Sequence, residues 1–280
     1  MTLPPWLIKR TPKSRNIKAI KELLSGLPVE TVCENAKCPN IGECYSEKTV
    51  TFMILGNICT RSCGFCAVKH GKPKSVDENE PRIIAEATKR LNLSHVVITS
   101  VTRDDLPDGG AGQFAKCVYQ LSTNNSQLTT EVLIPDFQGD ENSLRIVVDA
   151  KPDILNHNIE TIPRLYKTVR PQANYERSLN VLKNARKMSV NCTKSGLMVG
   201  LGEREEEVFQ VMKDLKSAGC DVLTIGQYLS PSKENLKVEE YINPSQFEKY
   251  KDFGYELGFT HIESGPFVRS SYKAKIWKNH

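Results

Sequence analysis

The sequence has no long apolar run. Nothing in its 280 residues approaches the roughly 20 consecutive apolar side chains of a membrane helix, so no membrane segment is expected. The opening stretch MTLPPWLIKRTPKSR lacks the apolar region of a secretory signal, and Pro4 and Pro5 argue against an amphipathic targeting helix. The expected compartment is the cytoplasm. There is no low-complexity tract, no internal repeat and no sustained basic block. A net charge of +5, spread over 38 basic and 33 acidic residues, is too weak and too interspersed to argue for nucleic acid. Such an excess could at most steer an acidic protein partner. No Ser-His-Asp arrangement or carboxylate pair stands out. Gly109-Gly110-Ala111-Gly112 lacks both the G-x-G-x-x-G spacing and a lysine, and reads as a turn into a helix rather than a phosphate cradle. What remains, with 39% hydrophobic and 25% charged residues, is an ordinary globular chain.

Cysteine is the residue present in excess. Nine cysteines in a protein expected to be cytoplasmic point to metal or redox chemistry rather than to disulfides. Six fall in two triplets: Cys33, Cys38 and Cys44 spaced C-x4-C-x5-C, then Cys59, Cys63 and Cys66 spaced C-x3-C-x2-C. Neither triplet has a fourth cysteine. Thiolates suit zinc, copper(I) and iron–sulfur clusters. A structural zinc site would close with four ligands. A four-iron cluster on three cysteines would instead leave one iron open. Cys117, Cys192 and Cys220 show no spacing of this kind and read as small buried hydrophobes. His95, His157, His261 and His280 show no ligand spacing either. His70 could serve as the outside fourth ligand of a zinc knuckle.

Residues 14–27 carry apolar side chains at helical spacing. Residues 32–46, which hold the first triplet, read as an irregular loop. From residue 50 onward, short β-branched or apolar runs alternate with longer amphipathic ones. Strands are expected over 49–55, 95–100, 130–134, 153–156, 193–199 and 221–225. Helices are expected over 81–92, 111–121, 143–150, 175–187, 204–218 and 244–257, with a short extended run at 260–262. Strands alternating with helices imply parallel βαβ units. Six units are too few for an eight-stranded barrel, so an open, partial α/β barrel fits. Its chemistry would lie at the carboxyl ends of the strands, where the second triplet falls.

Cys59-Thr-Arg-Ser-Cys63-Gly-Phe65-Cys66 resembles the C-x3-C-x-aromatic-C signature of the radical S-adenosylmethionine (SAM) enzymes. The first triplet upstream of it looks like that of the lipoyl synthases. So do Thr51-Phe-Met-Ile-Leu-Gly, the stretch from Thr99 through Arg103 to Ala111, Asn156-His-Asn-Ile-Glu-Thr, Val169-Arg-Pro, Lys194-Ser-Gly-Leu-Met-Val-Gly-Leu-Gly-Glu and Ser264 through Tyr272. The resemblance covers nearly the whole chain. It departs at Asn57 and Gly64, where an acidic residue and a proline are expected, and at Asn235, where histidine is expected. None of these touches an expected ligand, so none disturbs the reading.

The resemblance implies an α/β fold, a partial (β/α)6 TIM-like barrel of the radical SAM type with N- and C-terminal extensions. The division would be 1–48 carrying the auxiliary-cluster cysteines, 49–263 forming the barrel and 264–280 carrying a cluster-ligating serine. It implies two 4Fe–4S clusters and SAM. Cys59, Cys63 and Cys66 would hold the radical cluster. Cys33, Cys38 and Cys44 would hold the auxiliary one, completed by Ser271 of Arg269-Ser-Ser-Tyr272, with Ser270 as the alternative. A hard serine oxygen on such a site should release readily. Phe65, Thr99, Ser100, Arg103, Asn158, Glu160 and Arg170 would contact SAM. For each of the polar ones a structural salt bridge or surface role is a competing reading. The implied activity is insertion of two sulfurs at C6 and C8 of an octanoyl-lysine, the auxiliary cluster being the sulfur donor. Implied partners are an octanoylated lipoyl carrier domain (glycine cleavage H protein or the E2 of a 2-oxoacid dehydrogenase), a ferredoxin or flavodoxin, and an iron–sulfur carrier. Another sulfur-inserting radical enzyme, resembling biotin synthase, and a zinc-stabilised binding module are the alternatives.

Overall fold

A computed structural model of the chain describes residues 3–8, 14–46, 49–124 and 127–272. Two compact units make it up, interleaved in sequence. The first comprises Thr11–Arg61 and Val68–Leu155, the second Met1–Arg10, Ser62–Ala67 and Asn156–His280.

The first unit opens with α1 (Ser14–Leu23), followed by β1 (Glu30–Thr31). Where an irregular loop is expected there are two short helices, α2 (Val32–Asn35) and α3 (Ile41–Ser46). The physical reason is a cap: the Thr31 hydroxyl accepts the Glu34 N–H at 3.3 Å and so starts α2. β2 (Thr51–Ile54) follows, fully buried, and then a two-residue parallel pair of β3 (Ile58–Cys59) with β4 (Lys69–His70). The remaining elements are α4 (Glu80–Arg90), β5 (His95–Ser100), α5 (Ala111–Asn124), β6 (Thr129–Leu133), α6 (Glu141–Asp149) and β7 (Ile154–Asn156). The strand order is β1-β2-β5-β6-β7. β1 is antiparallel to β2, while β2, β5 and β6 run parallel, with Phe52 beside Ile98 and Ile98 beside Val132. Nearly all of their side chains are buried, polar Thr51, Thr99 and the His95–Glu131 pair among them, as strands covered on both sides require. α4 packs on α5 and α5 on α6. α5 buries Ala111, Phe114, Cys117, Val118 and Leu121, a single helical stripe. The turn into it uses the Asp108 carboxylate, which accepts from Gly110 at 2.9 Å and Gly112 at 2.7 Å.

The second unit contains α7 (Tyr166–Val169), α8 (Tyr175–Lys187), β8 (Thr193–Val199), α9 (Glu205–Ser217), β9 (Val222–Gln227), α10 (Pro244–Glu256) and β10 (His261–Gly265). β8, β9 and β10 are parallel neighbours. The short extended run expected at 260–262 is thus a five-residue strand in full register with β9. Its core joins Leu197, Val199, Leu223 and Ile225 of the strands to Val208, Val211, Met212 and Leu215 of α9 and Phe247 of α10. Gly254 lets α10 lie directly on β10, since any side chain there would collide with Ile262.

Cys117 and Cys220 are fully buried, as expected, whereas Cys192 is only partly so. Residues 273–280 of the expected C-terminal extension, His280 among them, lie outside the described residues.

Candidate active site

The upstream triplet sits entirely in the first unit, on α2, its linker and α3. Cys33 is buried on α2, Cys44 is carried by α3, and Cys38 lies between. The scaffold is local. Cys38 N–H donates to Cys33 O at 3.1 Å, Ile41 N–H to Cys38 O at 3.3 Å, and Cys44 N–H to Asn40 O at 2.9 Å. The Thr31 and Tyr45 hydroxyls, 3.3 Å apart, tie the two helices together. Burial pushes the Cys33 thiol up to about 11; a hydrogen bond from the Thr51 backbone opposes this and nearby Cys38 adds to it. A metal would replace the proton on such a thiol.

Cys59 ends β3 in the same unit. Its sulfur accepts two backbone N–H groups, from Thr102 at 3.3 Å and from Arg61 at 3.4 Å. Thr60 binds the Thr102 carbonyl through both its N–H, at 3.0 Å, and its hydroxyl, at 2.9 Å. Arg61 is almost completely buried. Its Nε and Nη2 donate to the two oxygens of Asp104 at 2.6 and 2.8 Å, and Nη2 also reaches Asp136 Oδ1 at 2.6 Å. Burial alone would lower the Arg61 pKa, but the two carboxylates outweigh it and hold the guanidinium above its ordinary value. Sequence reasoning missed Arg61, Thr102, Asp104 and Asp136.

Of the SAM candidates in this unit, Thr99 donates its hydroxyl to Leu133 O at 2.8 Å. Arg103 forms a two-pronged bridge with Asp105 at 2.9 Å and also donates to Leu55 O at 3.3 Å, contacts of a structural kind. Ser100 Oγ, at the carboxyl end of β5, is buried without a hydrogen-bond partner.

Cys63 and Cys66 belong to the second unit. Cys66 N–H closes a tight turn on Cys63 O at 3.1 Å, and Gly64 N–H donates to Val169 O at 2.9 Å. Asn235 Nδ2 donates to Gly64 O at 3.2 Å and to Cys66 O at 2.9 Å. This corrects an expectation: the departure at Asn235 does touch an expected ligand residue, Cys66, through its carbonyl. The departure at Gly64 is coupled to it in space, because a Cβ there would stand 2.9 Å from Leu236. Asn57 bonds only Glu30 in the described structure, at 3.0 Å. Phe65 packs against the buried group of Val169, Leu201 and Tyr228.

Asn158, Glu160 and Arg170 come together in the second unit. Asn158 Nδ2 donates to Glu160 Oε1 at 3.0 Å and to Ser270 Oγ at 2.7 Å, and its Oδ1 is buried with no partner. Arg170 Nη1 donates to the carbonyls of Asn158 and Ile159 at 2.9 and 3.3 Å, leaving Nε buried and unpartnered. Burial holds the Glu160 carboxyl above the usual carboxylate range, with Arg170 and Asn158 opposing. Glu160 has φ +65°, a left-handed conformation that costs a non-glycine residue about 1–3 kcal/mol. Two strand-type bonds hold it there, to Gly196 O and from Met198 N–H, both at 2.9 Å. Gly196 completes a cradle, since a Cβ there would lie 2.7 Å from Asn158 Oδ1 and 2.9 Å from Ser270 Oγ. Ser271 is partly exposed.

These features fit the implied groups. Cys59 offers a sulfur already approached by two N–H donors, which would stabilise the negative charge of a cluster-bound thiolate. Asn158 Oδ1, Arg170 Nε and Ser100 Oγ are buried polar atoms of the sort a polar cofactor satisfies. Among the described residues, no three His, Cys, Asp or Glu side chains are arranged to share a single metal ion. A four-iron cubane spreads its thiolates over different irons and needs no such convergence. No helix among the described residues is long and apolar enough to cross a membrane.

Residues 53–215 match the family model described as the Radical SAM superfamily. Lipoyl synthase of Caldanaerobacter subterraneus subsp. tengcongensis is 56% identical over 274 residues, covering 98% of this chain and 96% of that protein. The relative from Caldicellulosiruptor saccharolyticus, of the same name, is 58% identical over 97% of this chain and 96% of that protein. The mitochondrial lipoyl synthase of Nematostella vectensis is 51% identical over 97% of this chain and 94% of that protein. Among solved structures, Streptococcus suis SuiB bound to S-adenosylmethionine superposes with TM-score 0.61 at 11% identity, covering 80% of this chain and 53% of that one. Methylornithine synthase, PylB, superposes with TM-score 0.58 at 12% identity, covering 89% and 77%. At such identities these likenesses speak to fold: a mostly parallel α/β architecture of the radical SAM type.

Proposed function

The chain belongs to the lipoyl synthase family of the radical SAM superfamily, and from that premise we propose how its residues divide the work of inserting two sulfurs into a protein-bound octanoyl-lysine. Cys59, Cys63 and Cys66 would hold one 4Fe–4S cluster, whose open iron with SAM supplies the 5′-deoxyadenosyl radical chemistry that activates C6 and C8. Cys33, Cys38 and Cys44 would hold a second cluster, the sulfur-donating substrate. The observation that carries this reading is that both cysteine triplets lack a fourth cysteine. A cluster meant only to staple the fold would have no use for a corner without a thiolate.

The remaining residues bind and orient. Glu160 would accept ribose hydroxyls, and Arg170, whose Nε is buried without a partner, would meet a carboxylate. Asn158 bridges Glu160 to Ser270 and turns a free carbonyl oxygen into the same cradle. Ser100 offers a free hydroxyl, while Thr99 and Arg103 shape the loop that carries it. Phe65 fixes the cluster loop by packing rather than by polar contact. Ser271 of Arg269-Ser-Ser-Tyr272 would supply the fourth ligand of the upstream cluster, with Ser270, whose Oγ accepts from Asn158 Nδ2, as the alternative.

The partners follow from the activity: an octanoylated lipoyl carrier domain, a low-potential electron donor such as ferredoxin or flavodoxin, and an iron–sulfur carrier to rebuild the consumed cluster. The cytoplasm is the proposed compartment. The test is turnover of an octanoylated carrier peptide by anaerobically reconstituted protein, read by mass spectrometry. Two added sulfurs per peptide are expected. A colourless protein holding zinc, with neither iron nor sulfide after reconstitution, would overturn the reading.

A further inference from the structure

The Arg61 side chain, two residues after the expected cluster ligand Cys59, is buried. It is about 5% exposed and fully engaged with two carboxylates. Asp104 lies 43 positions on and Asp136 lies 75 positions on, so Arg61 joins β3 to the chain beyond β5 and beyond β6. Its backbone N–H is one of the two donors on Cys59 Sγ. The other donor, Thr102, is locked to the same residues: Thr60 binds Thr102 O twice, and Asp104 N–H donates to Thr60 Oγ1 at 3.1 Å. The guanidinium and the two N–H···S contacts therefore form one continuous assembly, and moving Arg61 would move both donors.

We infer that Arg61, gripped by Asp104 and Asp136, is a positioning residue that sets the reduction potential of the SAM-binding cluster by holding two N–H groups on the Cys59 sulfur. The inference rests on the reading that Cys59 ligates that cluster. Its physical basis is simple. Reduction adds an electron to the cluster and raises the negative charge on its sulfurs. N–H donors aimed at a ligand sulfur stabilise that extra charge, and hydrogen bonds to the sulfurs are a recognised control of potential. Losing them makes reduction harder. No proton needs to move, and the clamp itself is neither oxidised nor reduced.

A plain Arg61→Met substitution would leave two carboxylates together and shift the potential by charge alone. The Arg61→Met/Asp136→Asn double variant avoids this. One cation and one anion are removed together, so the local net charge is unchanged while the clamp is gone. Arg61→Lys is the companion, keeping the charge but losing the two-pronged fork. The full-length protein is reconstituted anaerobically with iron and sulfide. The midpoint potential is followed by EPR for the signal that responds to added SAM, together with the coupling of that signal to exchangeable protons.

Both variants are expected to shift the potential to more negative values, Arg61→Lys by less, with weaker exchangeable-proton couplings and slower 5′-deoxyadenosine formation. A SAM-responsive cluster at the wild-type potential in the double variant would overturn the inference. So would loss of all cluster from both variants, since Arg61 would then hold the cluster rather than tune it. If the unsubstituted protein forms no SAM-responsive cluster at all, it is the functional reading that fails instead.

Discussion

The two triplets are held in different ways. Around Cys33, Cys38 and Cys44, most of the scaffold is sequence-local: a capped four-residue helix, a six-residue helix and backbone bonds that reach five positions or fewer, with the Thr31–Tyr45 contact and the Thr51 bond to the Cys33 sulfur as the longer-range additions. Around Cys59 the bonds come from 43 and 75 positions away, and around Cys66 from Asn235, 169 positions away. Local scaffolds can open without disturbing the sheet, because opening and closing a short segment involves few partners. Long-range ones cannot. A cluster that is consumed and rebuilt, as proposed for the upstream site, would suit the first kind. One that must return unchanged after each turnover suits the second.

Removing one ligand from each triplet is the most severe test of that contrast. Cys63→Ala is expected to abolish SAM cleavage, with no 5′-deoxyadenosine by chromatography, while roughly half of the iron remains because the upstream cluster is intact. Cys38→Ala is expected to still make 5′-deoxyadenosine and to form no lipoyl product. Lipoyl product from Cys38→Ala would show that the upstream site is not the sulfur donor, and the division between the triplets would collapse.

A smaller effect is expected at the cradle. Glu160→Gln keeps the shape and removes the charge, so a charge-assisted hydrogen bond becomes a neutral one. A charged bond is worth about 1.5–3 kcal/mol and a neutral one about 0.5–1.5, so the difference of about 1–1.5 kcal/mol corresponds to a weakening of SAM binding of roughly 5- to 10-fold. Equilibrium binding to the reconstituted protein measures it. The iron content should not change, because Glu160 is no cluster ligand. Iron loss in Glu160→Gln would mean that the cradle supports the cluster instead of the cofactor.

The parts of this design visible in the sequence are those written in short motifs. Both triplets, the strand–helix alternation and the glycine turn ahead of α5 could be read directly. Helices α2 and α3 could not be found by periodicity, since neither is long enough to show a repeat. Yet Thr31-Val-Cys-Glu34 carries the Ser/Thr-x-x-Glu cap signature, and that signal would have found α2. Arg61, Asp104 and Asp136 were out of reach for another reason: only the fold brings residues 43 and 75 positions apart together. Asn235 looks harmless in the sequence because its partner, the Cys66 carbonyl, belongs to no motif.

Asn235 itself offers the next test. Asn235→Ala removes two hydrogen bonds from the downstream loop, worth about 1–3 kcal/mol together. Loss of the SAM-responsive cluster to a chelator should become roughly 5- to 100-fold faster, with the upstream cluster unaffected. Gly64→Ala should act in the same direction, because its Cβ would press on Leu236. Equal acceleration at both clusters would mean that the long-range scaffold is shared and the contrast is false.

The smallest effect is expected at Thr31, and it probes the local side. Thr31→Ala deletes the cap of α2 and the hydroxyl that meets Tyr45. A lost cap costs about 1 kcal/mol, or roughly fivefold in a local opening equilibrium. The change is confined to a segment whose bonds are mostly its own, so it should appear at the upstream cluster only. Chelator-driven loss of that cluster should be about fivefold faster, while SAM cleavage and the downstream EPR signal keep their wild-type values. Thr31→Ser, which restores the hydroxyl, should recover most of the difference. If Thr31→Ala instead weakens both clusters equally, β1 transmits strain through its pairing of Thr31 with Phe52 on β2, and the upstream site is not the independent local module that its hydrogen bonds describe.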